Sequence, residues 1–97
     1  MELIKVYGPS TKEHERLEKA AEILTLVSPK RRKYFVGECY FDYGQNWMWT
    51  TILYDSDWGS VQALNPRDYE KILTSGNLLT ALDEVVQDKY WSDKEVS

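Results

Sequence analysis

The sequence predicts an α+β domain in the order β-α-β-β-β-α-α, with a four-stranded, mostly antiparallel sheet and helices packed mainly on one face. Three observations predict it. Apolar residues at spacings of three and four follow a helix-capping sequence near the N-terminus. Two stretches rich in β-branched and aromatic residues then flank the turn Gly44-Gln45-Asn46. Two further helix starts come later, opened by Asn65 and Asn77.

Glu2 to Tyr7 is a short apolar run of β type, and Gly8-Pro9 breaks it. Ser10-Thr11-Lys12-Glu13 reads as a capping box, Ser10 accepting from the amide of Glu13 and Glu13 reaching back. The helix that follows, Thr11 to Val27, places Leu17, Ala20, Ala21, Leu24 and Val27 on its apolar stripe. Ser28-Pro29 ends it, because the residue before proline avoids helical geometry. Lys30-Arg31-Arg32-Lys33 is a basic connector to two strands, Tyr34 to Tyr43 and Trp47 to Asp55. The turn Asp55-Ser56-Asp57, with Gly59 behind it, leads to a third strand over Gly59 to Leu64. Asn65 caps a helix with Pro66 at its first position and Asp68 near the positive end of its dipole; it runs to Thr74, and Gly76 stops it. Asn77 caps a last helix, Leu78 to Trp91, with Leu78, Leu79, Leu82, Val85, Val86 and Tyr90 buried. Residues 1–91 form a single domain and 92–97 a frayed acidic tail. The first strand joins the same sheet, in an order the sequence does not fix, and its crossover is right-handed if it lies parallel beside the second strand.

Composition narrows the chemistry. Of 97 residues 42% are hydrophobic, enough for a core that buries roughly 60–70% of the unfolded surface. There is one histidine, His14, and one cysteine, Cys39. That excludes a zinc site built mainly from Cys and His, a disulfide framework, and a Ser-His-Asp triad unless His14 is its base. No secretory signal and no apolar run of membrane-spanning length is visible, and a lone cysteine suits a reducing compartment. The expectation is a cytoplasmic protein with no cofactor and no membrane partner.

Charge is unevenly spread. Residues 1–33 hold eight bases and five acids, net +3, and residues 34–97 hold four bases and eleven acids, net −7. Between 34 and 66 there is no Lys or Arg, yet nine of the thirteen aromatics lie there. With a hairpin loop over 43–46, Phe41 faces Met48, Cys39 faces Thr50, Gly37 faces Ile52 and Phe35 faces Tyr54, which reads as the core face. The other face pairs Asp42 with Trp47, Tyr40 with Trp49 and Glu38 with Thr51. A three-residue loop would move the tryptophans to the Phe41 face; Glu38, Tyr40 and Asp42 stay together in either case.

Glu38, Tyr40, Asp42, Trp47 and Trp49 are therefore the candidate protein-binding residues, an aromatic and acidic sheet face suited to a basic surface or to a second copy. Sugar stacking on the same aromatics is a third use. Lys30, Arg31, Arg32 and Lys33 are the candidate nucleic-acid contacts, with Tyr34-Phe35 beside them for stacking. They form a small footprint next to a sheet that repels phosphate. Glu38, Asp42, Asp55 and Asp57 could hold Mg²⁺, but Asp55 and Asp57 equally serve a turn, and no Lys or His stands in that segment to complete a hydrolytic centre. No catalytic and no metal-ligating residue is assigned. His14 reads as a surface histidine, Cys39 as a small buried hydrophobe, and Gly37 as a bulge or a close approach of another chain.

In size and composition the chain is similar in style to the short, aromatic, acidic proteins of bacteriophages and mobile elements, many of which bind and inhibit a host protein; no segment carries a family motif. The expected function is a small non-enzymatic protein-binding module, an inhibitor or accessory protein of that kind, with nucleic-acid binding through Lys30 to Lys33 as the alternative.

Overall fold

The computed structural model describes residues 8–41 and 46–91. Their order is α1 (Lys12–Val27), β1 (Arg32–Phe41), β2 (Asn46–Asp55), β3 (Ser60–Ala63), α2 (Pro66–Leu73), α3 (Leu78–Val85) and a π-helical turn (Val86–Tyr90). The described sheet has three antiparallel strands in the order β1-β2-β3, so the architecture is α+β. The expected first strand, Glu2 to Tyr7, lies outside the described residues, as do Asp42 and the 92–97 tail.

Helix ends follow local chemistry closely. α1 is capped by Thr11 rather than Ser10. Thr11 is extended, and its Oγ1 accepts from the His14 amide at 3.1 Å while donating to the Gly8 carbonyl at 2.9 Å. One hydroxyl thus ties the cap to the turn before it, which moves the cap one residue on. Asn65 caps α2 by accepting from the Asp68 amide at 2.9 Å, and Asn77 caps α3 by accepting from the Thr80 amide at 3.1 Å. The last helix is not continuous α-helix to Trp91. The Trp91 amide donates to the Val86 carbonyl at 2.7 Å, five residues back. The wider turn lets Tyr90 and Trp91 serve two elements. The Tyr90 hydroxyl accepts from the Asn65 amide and donates to Asp68 Oδ2, while the Trp91 ring packs edge-on against Tyr34 at 5.2 Å.

Strand ends and register depend on partners far away in sequence. β1 starts at Arg32, two residues before the expected start, because Arg32 and Lys33 pair with Asp55 and Tyr54. The β1–β2 register is offset by two residues from the one expected: Cys39 faces Met48, Phe35 faces Ile52, Glu38 faces Trp49 and Tyr40 faces Trp47. A shift of two keeps every side chain on its expected side. The assignment of the sides is what changes. α1 and the π-helical turn lie over the face that carries Tyr34, Val36, Trp49 and Leu53: His14 meets Trp49, Trp91 meets Tyr34, and Leu53 is buried with Leu17, Leu24, Leu82 and Val86. The face expected to be solvent-exposed therefore holds the helices. The face expected to be core is open at its margins, at Phe35 on β1 and Val61 on β3, while Met48, Thr50 and Ile52 on the central strand are buried.

The fully buried Leu17, Leu53, Leu64, Ile72, Leu82 and Val86 join the sheet to all three helices. Each such side chain contributes about 1.5–3 kcal/mol by leaving water. Val27, expected on the buried stripe of α1, is exposed, and His14 takes a place there instead. His14 lies three residues before Leu17, so it extends the buried stripe by one turn. Gly37 marks no bulge, since the ladder runs through it unbroken. It marks a close approach, by the Ile52 side chain of the neighbouring strand: a Cβ at position 37 would stand 2.9 Å from Ile52 Cδ1.

Candidate protein-binding surface

Of the residues singled out by sequence, the described side chains of Glu38, Tyr40 and Trp49 differ in exposure. Glu38 and Tyr40 are exposed near the far end of β1, Tyr40 by 63%. Trp49, opposite Glu38, is half-buried beneath α1, with its ring centroid 5.3 Å from that of His14 at an interplanar angle of 87°. Its use is partly structural. Trp47 stands opposite Tyr40 in β2, and Asp42 lies outside the described residues.

The basic connector divides even more sharply. Arg32 is 7% exposed: its Nε donates to Asp55 Oδ2 at 3.1 Å, and its guanidinium lies 4.9 Å from the centre of the Trp91 ring. Arg31 Nε stands 3.7 Å from Asp55 Oδ2 and 3.6 Å from Asp57 Oδ2. Of the four, only Lys30 and Lys33 are exposed. Two of the four bases offered to phosphate are thus held by the fold's own carboxylates. Burial disfavours the charge on Asp55, but the Arg32 hydrogen bond, the amides of Asp57 and Trp58 and the guanidinium charge outweigh it and hold this carboxyl below its ordinary range. With the Asp57 amide donating to Asp55 Oδ1 at 3.0 Å, Asp55 and Asp57 serve the turn and the ion pair. Among the described residues, no group of three or more His, Cys, Asp or Glu side chains is arranged to hold a metal ion.

A second buried carboxylate ties α2 to the C-terminal turn. Asp68 accepts from Lys89 Nζ at 3.0 Å, from the Tyr90 hydroxyl at 2.9 Å and from Asn65 Nδ2 at 3.1 Å. Burial opposes its charge, and these donors more than offset that, so its carboxyl also lies below the ordinary range. Its partners are all structural. Burial pushes the Cys39 thiol up, away from the reactive thiolate.

The structure adds surface that the sequence reasoning missed. Leu26 on α1 is 81% exposed, and Trp58, on the β2–β3 turn, is 80% exposed. A groove of about 500 Å³ runs between α1 and β1, lined by Glu18, Ala21, Glu22, Leu26, Phe35 and Val36 among others. A signal for it existed in Leu26, an apolar residue off the buried stripe of α1. Among the described residues no helix is long and apolar enough to cross a membrane. Compared with protein-family models, with curated proteins and with solved structures, the chain matches none.

Proposed function

We propose that this chain is a small, non-enzymatic protein-binding module that engages a basic surface of its partner through the acidic, aromatic margin of β1. One observation carries the reading: Glu38 and Tyr40 stand exposed together on one strand, beside an α1 flank that exposes Leu26 with Glu18 and Glu22. Aromatic and aliphatic side chains held on rigid elements and edged by charge are what interface anchors need. Inhibition of the partner, as by the short acidic proteins of phages and mobile elements, is the form we assign to this binding. The compartment we assign is the cytoplasm. The alternative, nucleic-acid binding through the connector, has Lys30 and Lys33 as its free charges, too few for a phosphate-tracking surface.

The test uses the tagged chain, its Glu38→Lys variant and its Tyr40→Ala variant, each checked for folding by circular dichroism. Partners are recovered from nuclease-treated and untreated lysate at low and high salt. A protein recovered regardless of nuclease, lost at high salt and lost with both variants is the expected result. Recovery that depends on intact nucleic acid, or that both variants leave unchanged, refutes the reading.

A further inference from the structure

The margin of β1 is an edge of the described sheet as well as a patch of side chains. Among the described residues no strand lies beyond it. Its main-chain direction is fixed by Thr25. Thr25 Oγ1 accepts from the Tyr34 amide at 2.8 Å and donates to the Tyr34 carbonyl at 3.0 Å, so both groups of Tyr34 point away from β2. Alternation in an antiparallel ladder then turns the amides and carbonyls of Val36, Glu38 and Tyr40 the same way. Thr25 closes the edge at Tyr34 and, among the described residues, leaves it open from Val36 to Tyr40, over a length of about 13 Å.

α1 runs beside this open edge. Glu18, Ala21, Glu22, Thr25 and Leu26, at spacings of three and four, form its flank along the groove. From Thr25 back to Glu18 the helix covers about 10 Å, and from Tyr34 on to Glu38 the strand covers about 13 Å, so Glu18 and Glu38 stand near the same end. The groove thus has an apolar floor of Ala21, Leu26, Phe35 and Val36 and is lined by the exposed carboxylates Glu18 and Glu22, with Glu38 exposed two residues beyond Val36 on β1. Glu18 and Glu22 are a like-charged pair one turn apart, which disfavours the helix slightly on its own. A cation in the groove would turn that repulsion into attraction.

We propose that this groove receives an extended peptide segment of a partner, in which apolar residues alternate with Lys or Arg, and which adds a strand to β1 from Val36 to Tyr40. This rests on the binding-module reading and names its partner and its mode. Main-chain pairing supplies affinity, while alternate side chains meet the α1 flank on one face and Phe35 on the other. A second copy is disfavoured as occupant, since two edges paired together would bring two sets of Glu18, Glu22 and Glu38 into contact.

The test selects from a displayed library of random ten-residue peptides with the purified chain as bait at low salt. The expected peptides alternate apolar and basic residues. The best of them, added to the chain, slows hydrogen exchange at the Val36 and Glu38 amides at least tenfold. Methylating its alternate amide nitrogens on the pairing edge, with every side chain kept, abolishes binding. Glu38→Pro removes an outward amide and no bond to β2, so it weakens binding more than tenfold, whereas Glu38→Gln weakens it less. The methylated peptide keeps the test decisive should Glu38→Pro fail to fold. No enrichment, enrichment of acidic peptides, unchanged exchange at Val36 and Glu38, or protection of these amides by the free chain's own association would overturn the proposal. Peptides that bind and protect the Trp58 turn instead would overturn the groove and leave the binding-module reading standing.

Discussion

Replacing Arg32 with alanine separates a structural base from a nucleic-acid contact. Arg32 and Asp55 are both buried, 3.1 Å apart, on paired strand positions. Removing one partner of a buried pair typically costs about 3–5 kcal/mol, because the other charge stays behind without water. Arg31 stands 3.7 Å from the same carboxylate, and the Asp57 amide keeps its bond, so the low end applies, about 3 kcal/mol. The loss of the Trp91 stacking contact is contained in that figure. Arg31→Ala removes a half-exposed guanidinium from longer contacts and should cost about 1 kcal/mol or less. In a domain of this size about 3 kcal/mol lowers the melting temperature by roughly 12–24 °C. Urea unfolding followed by tryptophan fluorescence, with thermal melts beside it, measures both variants. The double replacement Arg32→Met with Asp55→Leu, which removes both charges, should recover most of the loss. Equal, small costs for Arg31→Ala and Arg32→Ala would refute the reasoning, as would a double variant no better than the single one.

Three further outcomes follow from the same geometry. Thr50 and Thr51 are adjacent and fully buried, but Thr50 Oγ1 donates to the Leu64 carbonyl at 3.2 Å and Thr51 Oγ1 has no partner. Thr50→Val should destabilise by about 1 kcal/mol and Thr51→Val should stabilise by about 1 kcal/mol, so urea midpoints that move in the same direction would contradict the assignment. Asp55 and Asp68 titrate lower in the folded chain than their ordinary value of 3.8. Their contribution is therefore fully present above that value and is lost as pH falls below it and through the lower values of the folded chain, and stability measured from pH 6 down to about pH 2 should fall, with a shallower fall in Asp68→Asn. Gly37→Ala forces Ile52 to yield and should cost about 1–2 kcal/mol in urea unfolding, whereas no loss would mean that Ile52 moves freely.

The helices were legible because their signals are local. Asn65, Pro66, Asn77 and Ser28-Pro29 act on the backbone within a few residues, and each holds its expected place. The strands were legible as strands but not in their limits, because Arg32 and Lys33 join β1 only through partners at Asp55 and Tyr54. The faces show the same division. Alternation correctly groups Glu38 with Trp49, and Phe35 with Ile52. It cannot say which group receives the helices, since Tyr34 and Leu53 on one side are as apolar as Phe35 and Ile52 on the other. His14 was missed because its charge type outweighed its spacing, although it stands three residues before Leu17. The π-helical turn has no local signature, since it exists to satisfy Asp68 and Arg32 at once through Tyr90 and Trp91.

That same dependence on distant partners decides the electrostatics of the candidate surface. Counted along the chain, residues 30–38 carry four bases and one acid, and suggest a cationic entry to the sheet. Folding removes much of that. Arg31 and Arg32 are matched by Asp55 and Asp57, leaving Lys30 and Lys33. Lys33 belongs to the face of Phe35 and Tyr54, on the opposite side of β1 from Glu38. Among the described residues, the charges beside the stretch from Val36 to Tyr40 are Glu38 on the strand and Glu18 and Glu22 on the flank of α1. A strand edge is a hazard unless something occupies or guards it, and single charges on an edge are the usual guard. Here the charges share one sign, and Glu18 and Glu22 line an apolar groove. If the edge takes the basic extended segment we propose, the carboxylates that would repel its own copies and acidic chains would also choose its partner, so protection from aggregation and choice of partner would rest on the same groups.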